Sequence, residues 1–155
     1  MDAPLMDGPM MDGRIRLAEV TAGPVDETAL LRLVERPEAG AATLFVGRVR
    51  DHDPQAAGEV VGLDYTAHPT ATAKLLEIVT GALTAADPQA GTVVAVAHRV
   101  GHVDVGETAF VVAVSAAHRR LTFEVCELIV EQVKRELPVW KQQFEADGSY
   151  RWSGL

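Results

Sequence analysis

The sequence predicts a single α+β domain, on three observations. Strand-like and helix-like stretches are interspersed along 155 residues, a length suited to one hydrophobic core. The Gly-rich phosphate loop of a nucleotide-binding fold is missing from the strand-to-helix junctions. Beyond a loose Met-Asp-Gly repetition at the start, neither an internal repeat nor an interior linker divides the chain.

Residues 1–13 carry that repetition and two prolines, and read as a mobile tail; some of their methionines equally fit a misassigned start. The folded domain is expected over 14–155. The opening Met1-Asp2-Ala3-Pro4 is acidic and does not resemble a secretory signal. Arg14 to Val20 alternates apolar and polar residues, as a short strand does. Asp26 is placed to cap a helix through about Arg36, with Leu30, Leu33 and Val34 on one face and Pro37 as its stop.

Gly40 to Arg50 is the next strand, ending in a polar turn from Asp51 to Gly58, and Val60 to Ala67 resumes as a strand. Pro69 sits where a first helical position is expected. Leu75, Leu76, Ile78, Val79 and Leu83 follow at helical spacing until Asp87-Pro88. Gly91 to Val100 and Thr108 to Ser115 are β-rich runs joined by a turn around Asp104 to Gly106. The last helix is expected from about His118 to Glu136. Its stripe is Phe123, Cys126, Ile129, Val130, Val133 and Leu137, and Pro138 closes it. Val139 to Phe144 is extended and leads to a polar end at Tyr150-Arg151-Trp152.

Composition narrows the function. A net charge of −8 argues against coating nucleic acid, which needs excess Lys and Arg. The basic residues nevertheless cluster: Arg48 with Arg50, Arg119 with Arg120, and Lys134, Arg135 and Lys141. Basic clusters on an acidic body suit a small anionic ligand. No apolar run is long enough to span a bilayer. One cysteine gives neither a disulfide framework nor a thiol cluster for zinc, and a cytoplasmic protein is the expectation.

Lys134 is the most informative position. Around the helix axis it lies about 20° from Phe123 and about 40° from Val130, bordering the apolar stripe. Either its stem covers apolar surface while the ammonium reaches water, or the amine is partly desolvated near Lys141 or Arg135. The second case lowers its pKa for proton transfer or attack. His118 and Arg119 open a helix after a β run, where exposed N–H groups favour an anion; a solvated first turn is the plainer reading. Arg48 and Arg50 share a strand face at the strand's end. His98 and His102 straddle Gly101 and do not form a metal pair. Cys126, inside the stripe, reads as a core residue. Trp140 and Trp152 fit packing better than stacking on a heterocycle.

The order of these signals carries a resemblance. Phe45-Val46-Gly47-Arg48-Val49-Arg50, then Ser115-Ala116-Ala117-His118-Arg119, then Lys134-Arg135-Glu136-Leu137-Pro138-Val139-Trp140-Lys141 resemble the molybdopterin synthase large-subunit family. The K-x-x-x-P-x-W-K pattern is the most specific piece, and the similarity runs from about Gly40 to Trp152. Positions depart from the pattern: Thr66 stands where an acid is usual, His68 where an aromatic is usual, and Val130 where some members have methionine. Gln142 and Gln143 replace a common basic-acidic pair.

The resemblance implies an α/β hammerhead fold with mostly antiparallel strands, and a dimer of large subunits as the core of a heterotetramer. Each would bind a small ubiquitin-like sulfur-carrier subunit through its Gly-Gly thiocarboxylate tail. It implies sulfur transfer to cyclic pyranopterin monophosphate, building the dithiolene of molybdopterin with neither metal nor cofactor. Lys134 and Lys141 match the catalytic lysines. Arg50, His118 and Arg119 match residues that hold the pterin and its phosphate, with Phe45 in the same substrate-binding set. The His-Arg pair would come from the neighbouring large subunit. A non-catalytic module that holds the same ligands through the same basic cluster is the rival reading.

Overall fold

The structure is a computed structural model that describes residues 13–53 and 58–155. The expected tail and the middle of the polar turn after Arg50 therefore lie almost wholly outside the described residues.

Eight strands and three helices are described, in two four-stranded sheets. The first sheet has the order β1-β4-β6-β2, with β1 over Ile15–Thr21, β2 over Ala41–Arg48, β4 over Thr92–Arg99 and β6 over Thr108–Ala116. The β1–β4 pair is parallel, and every other pair in both sheets is antiparallel. The expected mostly antiparallel α+β domain is what forms. Its central strands are apolar on both faces, as strands covered on both sides must be. Val94, Val96, Val112 and Val114 pack under helices α2 (Ala71–Ala86) and α3 (Arg119–Glu136). The alternate residues Val93, Ala95, Val111 and Ala113 pack under helix α1 (Glu27–Leu33).

Asp26 caps α1 as expected, its carboxylate accepting from the Thr28 and Ala29 amides at 2.9 and 3.3 Å. The helix stops at Leu33, short of Arg36, for a tertiary reason. The Ser115 hydroxyl donates to the Val34 carbonyl at 2.6 Å, and Arg36 reaches across to the Gly91 carbonyl at 2.7 Å. Leu33 is consequently 40% exposed, while Leu30 and Val34 enter the core. Helix α2 begins two residues after Pro69, because Thr70 is held in a turn by His68 Nδ1 at 3.2 Å from its amide. At its far end Asp87 is buried and accepts from the Thr92 hydroxyl, the Thr92 and Gly91 amides and Arg14. Burial raises that carboxyl's pKa, but these donors outweigh it and hold the group below its ordinary value.

The second sheet has the order β5-β3-β7-β8, with β3 over Val60–Ala67, β5 over Gly101–Asp104, β7 over Val139–Glu145 and β8 over Tyr150–Gly154. Strands β5 and β8 are absent from the sequence reading. The chain leaves the first sheet at Arg99 and enters the second at once through Gly101, whose φ of 86° falls in the left-handed region that glycine tolerates. The turn before β8 uses Gly148 in the same way, with φ of 88°. No helix among the described residues is long and apolar enough to cross a membrane.

Candidate functional site

Pro138 fixes the site's geometry. It follows Leu137, whose extended ψ of 125° ends α3 as a residue before proline is biased to do, and the chain reverses into β7. Alternation along β7 then puts Lys141 and Gln143 on one face. The β3 register places Tyr65 opposite Lys141 and Leu63 opposite Gln143. These four residues line the floor of a cleft of about 210 Å³. Its walls are the Arg48-Val49-Arg50 segment and Lys134 from the last turn of α3. The arginine segment is pinned by backbone bonds from the Val49 amide to the Glu107 carbonyl and from the Gly106 amide to the Val49 carbonyl.

The cleft is cationic in an acidic protein. Arg48, Arg50, Lys134 and Lys141 line it, against one carboxylate, Asp53, among the described lining residues. Arg48 is partly engaged by Glu27 at 3.3 Å. Burial lowers the Lys141 pKa below the usual lysine value; Lys134 and Arg50 add to the lowering, and Asp53 opposes it. The desolvated lysine is therefore Lys141, whereas Lys134 is exposed. The angular kinship of Lys134 with Phe123 has this outcome because Phe123 is itself 57% exposed and not a core residue.

Behind the floor lies an aromatic stack. The Tyr65 ring meets His98 edge-on at 5.1 Å, and His98 meets Phe110 at 5.4 Å. Phe110 meets Phe45 at 5.6 Å. Burial pushes the Tyr65 phenol up to about 12, so it stays neutral. His98 is 2% exposed, and its Nδ1 donates to the Arg99 carbonyl at 2.8 Å. Burial brings its pKa down to about 4; the Arg99 hydrogen bond opposes this, and the charge of Lys134 adds to it. His98 is thus a neutral packing ring. His102 instead points to Asp64 and Asp104, at 2.6 and 2.8 Å. No cluster among the described residues is suited to a metal ion.

Of the residues singled out in the sequence, Arg50, Lys134 and Lys141 converge in this cleft. His118 and Arg119 do not. They are exposed at the opposite end of α3, about 24 Å from Lys134 along the helix at 1.5 Å per residue. Phe45 also lies outside, in a shallow apolar groove with Phe123, Cys126 and Val130. Cys126 is buried, and its thiol is pushed up to about 11 by that burial, so it behaves as a core residue. Tyr65 and Gln143 line the cleft without having been singled out as site residues. For Gln143 a signal existed, since it stands two residues after Lys141 on a strand and must share its face.

Fold and cleft together define an α+β protein with a lysine-bearing, cationic cleft on its second sheet. The chain belongs to the MoaE protein family, whose family model matches residues 20–136. It is 35% identical to molybdopterin synthase catalytic subunit 1 of Mycobacterium tuberculosis over 92% of this chain and 93% of that one. It is 33% identical to the molybdopterin synthase catalytic subunit of Bacillus subtilis, over 88% and 83% respectively. The crystal structure of molybdopterin synthase from Staphylococcus aureus superposes with a TM-score of 0.78 at 27% identity, covering 88% of this chain and 96% of that one. The family expected from the sequence motifs is the family found.

Proposed function

We propose that this chain transfers sulfur from the C-terminal thiocarboxylate of a small ubiquitin-like subunit to cyclic pyranopterin monophosphate, forming the dithiolene of molybdopterin. The observation that carries the reading is the convergence of a desolvated Lys141 with Lys134 and Arg50 in one cationic cleft. Thiocarboxylate and phosphate are both anions, and fixed cations in a partly dry cleft offset their mutual repulsion. Each transfer forms a carbon–sulfur bond at a pterin carbon that gives up an oxygen substituent. Water then breaks the carbon–sulfur bond to the partner's terminus, its oxygen leaving that terminus as a carboxylate. The accompanying proton transfers suit an amine whose pKa is lowered below the usual lysine value by burial. Lys141 is the proton-transfer group in this reading, and Lys134 and Arg50 hold the anions. Sulfur arrives on the partner, so the buried Cys126 has no part in the reaction.

The matched relatives are named as catalytic subunits, a term that presupposes a second subunit. His118 and Arg119 contribute to a cleft only from another copy of the chain, given their distance from Lys134 on the same helix. The assembly we infer is a homodimer of this chain carrying two small subunits, working in the cytoplasm. The catalytic domain is residues 14–155, with the first 13 residues outside it.

The test is conversion of the pterin precursor by the purified chain with a thiocarboxylated small subunit, comparing wild type with Lys134→Ala. Product from wild type and almost none from the variant is expected. A wild-type chain that binds the small subunit yet makes no product is a binding module, and the proposal fails.

A further inference from the structure

The arginine segment that walls the cleft runs past the end of its strand. Strand β2 shifts register between Gly47 and Arg48 and stops there. Val49 is then tied to the turn between β5 and β6: its amide donates to the Glu107 carbonyl at 3.2 Å, and its carbonyl accepts from the Gly106 amide at 2.7 Å. The Val49 side chain is buried in a small cluster with Val103 and Ala109, while its neighbours Arg48 and Arg50 line the cleft. Where that turn sits therefore sets where the two arginines sit. Arg48 has a separate hold on Glu27, so the turn matters most to Arg50.

One carboxylate holds the turn. Glu107 Oε1 accepts from the Asp104 amide at 2.9 Å, closing the turn on itself, and Oε2 accepts from Arg99 Nη1 at 3.2 Å. Arg99 is the last residue of β4, a strand buried along the rest of its length. Stability does not account for this pair. The Arg99 side chain is 17% exposed and its Nε is buried without a hydrogen-bond partner, a cost that an exposed carboxylate offsets only in part. Neither Arg99 nor Glu107 lines the cleft.

We propose that Arg99 and Glu107 are positioning residues that set Arg50 over the cleft floor, through the turn and Val49; this rests on the sulfur-transfer reading above, in which Arg50 holds an anion. A cation stabilises a bound anion without reorganising only if the backbone beneath it is fixed beforehand. Beyond β2 that backbone has no strand pairing, and the turn supplies the fixed point. Without the Glu107 carboxylate the turn loses both its bond to the Asp104 amide and its tie to β4. Val49 keeps its apolar contacts, so the segment stays folded but no longer holds one height over Lys141.

The experiment is a double-mutant cycle between Glu107→Ala and Arg50→Ala in the full chain. Three quantities are measured: the melting temperature, the Kd for cyclic pyranopterin monophosphate by calorimetry, and turnover with a thiocarboxylated small subunit. Glu107→Ala is expected to raise the Kd about 5- to 50-fold, as a small misplacement far from the reacting atoms does. In the Arg50→Ala background the same substitution is expected to change the Kd less than about twofold, because the residue it acts through is gone. Glu107→Gln keeps an acceptor for the Asp104 amide and drops the ion pair, so its Kd falls between those of wild type and Glu107→Ala. It takes the place of Glu107→Ala in the cycle if that variant does not fold. A merely structural pair gives a lower melting temperature with the Kd unmoved in the folded protein. A pair that acts on another part of the cleft gives the same fold-change in both backgrounds. Either outcome overturns the inference. A wild-type chain without turnover overturns instead the sulfur-transfer reading on which it rests.

Discussion

Along β4 every residue except Arg99 is buried, whereas β7 alternates between buried, half-buried and exposed positions. The first sheet is packed on both faces, with α2 and α3 on one side and α1 on the other. The second keeps one row of side chains facing a cleft, and exposes Trp140, Tyr150 and Trp152. A slab covered on both faces gains the most from burial and has no surface left to offer a ligand. A sheet covered on one side forgoes part of that gain. It keeps a rigid row whose spacing fixes Lys141 against Tyr65.

That division can be challenged by substitution. The largest effect is expected at the open row, where Lys141→Arg keeps the charge but cannot deprotonate near neutral pH. Turnover with the pterin precursor should fall about 10²- to 10⁴-fold, while the melting temperature hardly moves. Normal turnover would mean that Lys141 acts only as a fixed charge. On the slab side, Ile129→Ala removes a fully buried side chain under the first sheet. Urea denaturation should show a loss of about 2–5 kcal/mol, with KM for the pterin unchanged in the folded fraction.

A smaller, pH-limited effect is expected where the two regions touch, at His98. Its folded pKa, about 4, lies below its ordinary value of 6.5, so between those values the unfolded chain holds the extra proton. Stability is unaffected by this group above pH 6.5 and declines as pH falls toward 4, by a total on the order of 3 kcal/mol. His98→Phe should flatten that part of the stability–pH curve. An unchanged slope would assign the acid sensitivity to other groups.

The sequence disclosed the slab more fully than the cleft. Strand β3 falls on the residues its periodicity indicated, and β4, β6 and α3 fall within one or two, because long apolar runs and Pro138 are strong local signals. Strands β5 and β8 have four and five residues and lie at the two edges of their sheet. Their glycine-flanked, half-polar sequences carry turn signals as strong as their strand signals. Phe123 and Leu33 share the helical spacing of their buried neighbours, but periodicity does not record how far a covering element extends. The same limit shifted attention from Lys141 to Lys134. Angles around one helix describe that helix alone, whereas the desolvation of Lys141 comes from long-range β3–β7 pairing and the arginine segment above it. His118, Arg119 and Phe45 matched motif positions, yet one copy of the chain does not bring them to the cleft.

The stack Phe45–Phe110–His98–Tyr65 runs from the outer groove to the cleft floor through edge-on contacts between 5.1 and 5.6 Å. Each ring carries a circulating π current, so the carbon-bound protons of His98 sit in the magnetic shadow of two neighbours. Their NMR frequencies consequently report the tilt of Tyr65 and of Phe110. A molecule seated against Tyr65 would displace those lines directly, whereas one pressed on Phe45 would do so only by way of Phe110. One buried imidazole thus serves as an intrinsic, label-free reporter of occupancy at the cleft floor.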